Sequence, residues 1–281
     1  MIAVTKVFII KMNFCIQDIY TLQDFKLPIM KHVVLFFFIP FCFFEIVNAQ
    51  AKISLGLKLG STIPGIGLNS SNPIMDGYKN QLAPCYGVVL ETGLNKKWSL
   101  LNEVNYTTIK IKKNGGQVIP KSIIKYFNLT SLNLPDDLYA NFESNINMNY
   151  FEVPIMLKYF FHQTEKFNCF ANGGFFVGTL VNGNINTKGQ GNVYSDAAHT
   201  NSITPFPIFL NTNINVQNWL NDFNYGFQGG IGCTLKFNTG EIFANLSGSI
   251  GFNNMQINKD DGENKSREGT LCVGYLIHLS K

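Results

Sequence analysis

After residue 49, the side chains most able to do chemistry are three histidines, four cysteines and a set of charged residues on the polar faces of alternating segments. His162, His199 and His278 are far apart along the chain. Nucleophilic catalysis of the Ser-His-Asp kind needs an imidazole bonded to both a hydroxyl and a carboxylate. His162 falls in a short connection, His199 in a long one and His278 at the end of the last apolar segment, so no triad is expected. Cys85, Cys169, Cys233 and Cys272 occur singly, with neither Cys-x-x-Cys nor a metal-binding spacing. Free thiols used as small apolar residues are the expectation, with a Cys169–Cys233 disulfide as the alternative in an oxidising compartment. Lys259-Asp260-Asp261-Gly262-Glu263 lacks the ligand spacing of a calcium loop and reads as a solvated acidic loop. Glycosylation-like triplets at Asn69 and Asn128 are chance matches in a chain with 34 Asn. The sequence therefore assigns no catalytic, cofactor-binding or metal residue, and the expectation is a protein that is not an enzyme and carries no cofactor.

The charged set is Lys58, Glu91, Glu103, Glu152, Lys158 and Lys236. Each lies on the polar face of an alternating segment. In a narrow barrel, side chains fill the interior, and such a stripe becomes an ion-paired core. A proton or ion path is the other use of it, and the core is expected.

These residues are positioned by strands. Of 281 residues 46% are hydrophobic and only 14% charged, with mean hydropathy +0.06. That composition excludes disorder, and a net charge of +4 with scattered Lys offers no nucleic-acid surface. Phe223, Tyr225, Phe227, Ile231, Cys233, Leu235 and Phe237 alternate with Asn224, Gly226, Gln228, Gly230, Gly232, Thr234 and Lys236, a period of two that only a strand has. Eight such segments are expected, at 51–60, 84–94, 98–111, 147–161, 167–182, 222–237, 241–253 and 268–280. Each is long enough to cross an outer membrane, which takes about nine to eleven tilted residues. The connections alternate, long at 61–83, 112–146, 183–221 and 254–267 and short at 95–97, 162–166 and 238–240. That is the pattern of an all-β, eight-stranded, antiparallel up-and-down transmembrane barrel.

Which face meets lipid follows from charge. The polar face holds Gly, Asn, Ser and a few ions, too few to coat a water-exposed exterior, so the apolar face is expected outward and the polar face inward. Trp98, Tyr159, Phe161, Phe167 and Phe237 would form one aromatic girdle, and Tyr106, Phe151, Phe175, Tyr225 and Phe252 the other. Pro154 interrupts one strand without changing its parity, so one ladder donor is expected to be missing there. In the long connections, Leu134-Pro135-Asp136-Asp137-Leu138-Tyr139 reads as a helix start. Pro205-Phe206-Pro207-Ile208-Phe209-Leu210 reads as an apolar lid or contact stretch. Asp136, Tyr139, Pro205 and Trp219 are expected free to meet partners.

Upstream, Lys31-His32, the apolar run Val33–Phe44 and Val47-Asn48-Ala49 form a signal peptide over 30–49, with cleavage after Ala49. Residues 1–29 then read as an over-extended start that forms no domain. The barrel is expected over 50–281.

Five stretches carry a resemblance that covers about Ile53 to Leu279: Gly56-Leu57-Lys58-Leu59-Gly60, Tyr86-Gly87-Val88-Val89-Leu90-Glu91, Trp98-Ser99-Leu100-Leu101-Asn102-Glu103-Val104-Asn105-Tyr106, Tyr150-Phe151-Glu152-Val153-Pro154-Ile155-Met156-Leu157-Lys158-Tyr159, and Gly173-Gly174-Phe175-Phe176-Val177-Gly178. Together they resemble the PorT-type outer-membrane β-barrels of Bacteroidetes bacteria. The resemblance implies a small outer-membrane barrel that is not an enzyme, and the role expected of it is structural, adhesive or secretion-associated. The departure is Leu279, where such barrels often carry a terminal aromatic. The expected partners are outer-membrane lipid and proteins met through the long loops, with no nucleic acid. A narrow passive channel is the alternative, and a soluble lipocalin-like barrel a more distant one.

Overall fold

The computed structural model describes residues 52–65, 77–119, 121–127, 137–257 and 264–279. The expectations for the signal peptide, residues 1–29, Leu134 to Asp136 and Lys259 to Glu263 fall outside these residues. Eight strands form the wall: β1 Ile53–Pro64, β2 Ala83–Gly93, β3 Trp98–Ile119, β4 Leu138–Gln163, β5 Phe167–Lys188, β6 Phe223–Lys236, β7 Gly240–Gly251 and β8 Arg267–His278. Each pairs antiparallel with its sequence neighbours, and β1 pairs β8, from Ser54 opposite His278 to Pro64 opposite Glu268. The sheet is closed into an eight-stranded barrel, so it leaves no edge.

The faces are the expected ones. Leu57, Leu59, Phe175, Ile231 and Leu271 point outward, while Ser54, Lys58, Thr62, Asn224, Gln228 and Thr234 are buried inside. Small barrels bend their walls sharply, and glycine relieves the inner face of the bend. A Cβ on Gly174 would meet the carbonyl of Ile155, and one on Gly226 the carbonyl of Ile250. The short turns are set by side chains that imitate backbone. Asn95 Oδ1 accepts from the N–H groups of Lys97 and Trp98 at 2.9 and 3.0 Å, and Thr164 Oγ1 accepts from Phe167 N at 2.9 Å. Pro154 pairs with Phe176 on one side. On the other, the ladder to β3 skips from Ile155 to Glu152, so the missing donor falls where it was expected.

Three strands are longer than expected. β3, β4 and β5 have 22, 26 and 22 residues, about twice what a crossing needs, and they continue past the barrel on the long-loop side. Residues 112–119 and 138–146 are therefore strand, not loop. Leu138 and Tyr139 open β4 and no helix starts there; the Pro-acid signal preceded a strand. Smaller pieces complete this extension. Lys79–Gln81 pairs with β3, Thr212–Asn215 with β5, and Val193–Tyr194 with β4.

Candidate functional site

Along β3 the inward residues are Ser99, Leu101, Glu103, Asn105 and Thr107, then Ile109, Ile111 and Ile119. The outward ones run Leu100, Val104 and Tyr106, then Thr108, Lys110 and Lys112. β4 does the same in reverse chain direction. Outward Asn145, Asn147 and Asn149 give way to Phe151, Ile155 and Leu157, and inward Phe142, Met148 and Tyr150 give way to Glu152 and Lys158. One half of each strand is inside-out, as lipid requires. The other half is polar-out and apolar-in, as water requires.

Between the halves lies a ring of outward aromatics. Tyr86 stacks on Tyr106 with centroids 5.2 Å apart, Tyr106 meets Phe151 at 5.3 Å, and Tyr225 meets Phe252 at 6.1 Å. Trp98 and Tyr159 pair at 4.7 Å at the other end. Rings of this kind sit at both membrane interfaces. Tyr86 was not among the residues expected from the sequence.

Inside the membrane-spanning half, Lys58, Glu103, Lys158 and Glu91 form two buried ion pairs, whereas Glu152, expected in the same paired core, forms none among the described residues. Lys58 Nζ donates to Glu103 Oε2 at 2.5 Å, and Lys158 Nζ to Glu91 Oε2 at 2.7 Å, with Glu241 Oε1 4.0 Å from the same ammonium. Lys158 also lies 4.2 and 4.8 Å from the ring centroids of Phe170 and Phe160. Val89, Leu101, Met156, Phe243 and Leu276 form an apolar plug across the bore. Glu241 and Glu268 belong to this interior and were not singled out from the sequence, although their parity matches that of buried neighbours. Lys236 is at the rim instead, 3.5 Å from the carbonyl of Thr164 in a short turn.

Beyond the aromatic ring is a second core, built from Ile109, Ile111, Ile119, Ile123, Phe127, Leu138, Phe142, Met148, Leu210, Ile214 and Met255 among others. It makes the extension a folded head. Trp219 packs against it and Leu210 is wholly buried, so these loop residues are structural. Phe206 and Phe209, from the same apolar stretch, are 75% and 69% exposed. Asp196 orders a turn in the head, accepting from the N–H groups of Thr200 at 3.0 Å and Asn201 at 2.7 Å.

The histidines stay apart. His278 Nδ1 is 2.9 Å from Ser54 Oγ, His199 stacks on Tyr194 at 4.7 Å, and His162 lies 6.5 Å from the ring of Phe167. Cys169 and Cys233 face each other across β5 and β6, partly exposed on the outer wall, while Cys85 and Cys272 are buried inside; all four are free thiols.

Residues 48–256 match the model of the outer membrane protein beta-barrel domain family. No curated protein matches the sequence. Among solved structures, neisserial surface protein A is similar at 8% identity and TM-score 0.42, covering 81% of this chain and 98% of its own. OprG from Pseudomonas aeruginosa is similar at 12% and 0.36, covering 81% and 93%. Ail of Yersinia pestis is similar at 11% and 0.32, covering 81% and 97%. The matched residues run through β1 to β7 of the closed eight-stranded ring, well over half of the chain, and the chain belongs to the outer membrane protein β-barrel domain family.

Proposed function

We propose that this barrel is a sealed, non-enzymatic stand that holds a recognition head at the cell surface. The observation that carries the reading is the second core. Strands with apolar residues turned inward and Lys and Asn turned outward are built to stand in water, and they continue from the membrane wall without a linker. A rigid wall leaves recognition to what it carries, and the exposed Phe206 and Phe209 offer an apolar contact there. The ion pairs and the plug of Val89, Leu101, Met156, Phe243 and Leu276 favour this over the passive channel.

In this reading residues 30–49 are a cleaved signal peptide, 50–281 the mature barrel, and 1–29 no part of the functional protein. The long-loop side is outside the cell. The head's partners are proteins of an adhesive or secretion-associated role, consistent with the PorT-type, Bacteroidetes resemblance of the five stretches above. The test is a Phe206→Ser, Phe209→Ser variant. It should fold as heat-modifiable barrel and lose the surface or secretion phenotype lost on deleting the gene. Retention of that phenotype, or stepwise conductance of the purified protein in planar bilayers, would contradict the reading.

A further inference from the structure

We propose that the barrel interior holds one hard, oxygen-seeking divalent cation between Glu152 and Glu268. β4 and β8 stand on opposite sides of the eight-stranded ring, and these two carboxylates enter one small cavity from those opposite walls. Both residues are buried, at 4% and 7% exposure, and among the described residues neither makes an ion pair. Lys58, the ammonium lining the same cavity, is bound to Glu103. Two carboxylates are thus left in the bore without an ion-pair partner, and removing such charges from water without one is strongly unfavourable.

A second observation points to a ligand. Three acceptor oxygens of the cavity wall have no hydrogen-bond partner: Glu152 Oε1, Asn105 Oδ1 and Thr107 Oγ1. Asn105 and Thr107 are each 97% buried, at 3% exposure. Asn105 pairs in register with Glu152 on the neighbouring strand, and Ser249 pairs with Glu268, so oxygens flank each carboxylate along its ladder row. The cavity is about 10 Å³, the room of one water or one ion. Besides the Lys58 ammonium and the Cys85 thiol, the lining supplies carboxylate, amide and hydroxyl oxygens, the donor set that hard cations such as calcium take. A divalent ion there would neutralise both carboxylates and satisfy the three orphaned oxygens, tying β4 to β8 across the bore.

The test uses the full chain refolded into detergent micelles in the presence of either calcium or EDTA, desalted and assayed for bound calcium. The wild type should retain one calcium per barrel and unfold at a higher temperature than the EDTA-treated protein. Glu152→Gln with Glu268→Gln should refold and retain none. Thr107→Val, which removes one oxygen and keeps the shape, should weaken calcium binding by about threefold to tenfold; unchanged binding in this variant overturns the proposal even where the double variant does not refold. It is also overturned if the wild type retains no calcium, or if the double variant retains as much as the wild type. An infrared band of a protonated carboxylic acid in the wild type, lost in the double variant, would overturn it too, because a shared proton would then occupy the site.

Discussion

The rings of Tyr106 and Phe151 meet edge-on at 5.3 Å on the outer wall, and the chemistry of both strands reverses beyond them. On the barrel side their outward neighbours are Val104 and Val153; on the head side they are Thr108 and Asn149. Thr108 Oγ1 donates to Asn149 Oδ1 at 2.9 Å, so the first pair above the rings is already a polar one. This contact marks where the lipid-facing wall ends.

Ile155 and Asn147 are on the same strand and the same outward face, one on each side of that boundary. Ile155→Arg should lower the stability of the barrel in lipid vesicles by about 2–4 kcal/mol, the cost of arginine near the bilayer midplane. Asn147→Arg, in water, should change it by less than about 0.5 kcal/mol. Urea titrations in vesicles would measure both. Equal losses would misplace the boundary.

Below the boundary the sequence was highly legible. The expected segment 222–237 is β6 at Phe223–Lys236, because one continuous environment on each face keeps the period of two in one phase. The alternation in the sequence stops at Ile111 on β3 and begins at Asn147 on β4. The backbone continues there, but the apolar residues move to the other parity. Ile109 and Ile111 lie on the face that carries Glu103, Asn105 and Thr107 lower down. A pattern that changes phase at the water line reads as the end of a strand. The lone pairings were legible for the same reason they were incomplete. Lys58 and Glu103 sit mid-strand with clear parity, whereas Glu241 and Glu268 are each the second residue of a strand, so their matching parity is supported from one side only.

The buried pair Lys58–Glu103 makes a prediction of sign as well as size. Lys58→Met should destabilise the folded barrel by about 3–5 kcal/mol, since it leaves Glu103 uncompensated. Adding Glu103→Leu should recover most of that loss. A double variant as unstable as the single one, in the same unfolding assay, would show that the pair is not the source of the effect.

The head should fail without the barrel failing. Phe142, at 4% exposure in the second core, loses about 3–5 kcal/mol of packing on truncation to alanine. Phe142→Ala should make Lys110, Lys112 and Lys113 cleavable by trypsin in vesicles, while the heat-modifiable mobility of the barrel persists. Resistance equal to wild type would mean that this core contributes little to the head.

Asp196 gives a pH dependence. Its carboxylate accepts backbone N–H groups from Thr200 and Asn201 and the Thr200 hydroxyl, and these bonds hold it below the ordinary carboxylate range. A depressed folded value means the turn is fully supported above the unfolded pKa of about 3.9. The support is lost as pH falls through the lower, folded value. Amide exchange at Thr200 and Asn201 should therefore accelerate only in strong acid. In Asp196→Asn it should be fast at every pH.

A membrane wall that carries a water-exposed head on the outer side leaves the two ends of the barrel unequally open to antibodies. A short tag inserted after Asp196, in the head, should be labelled by antibody on intact cells. A tag after Asn238, in the short turn between β6 and β7, should be labelled only after the outer membrane is permeabilised. Labelling of the Asn238 tag on intact cells, with the Asp196 tag protected, would contradict the account and place the head in the periplasm.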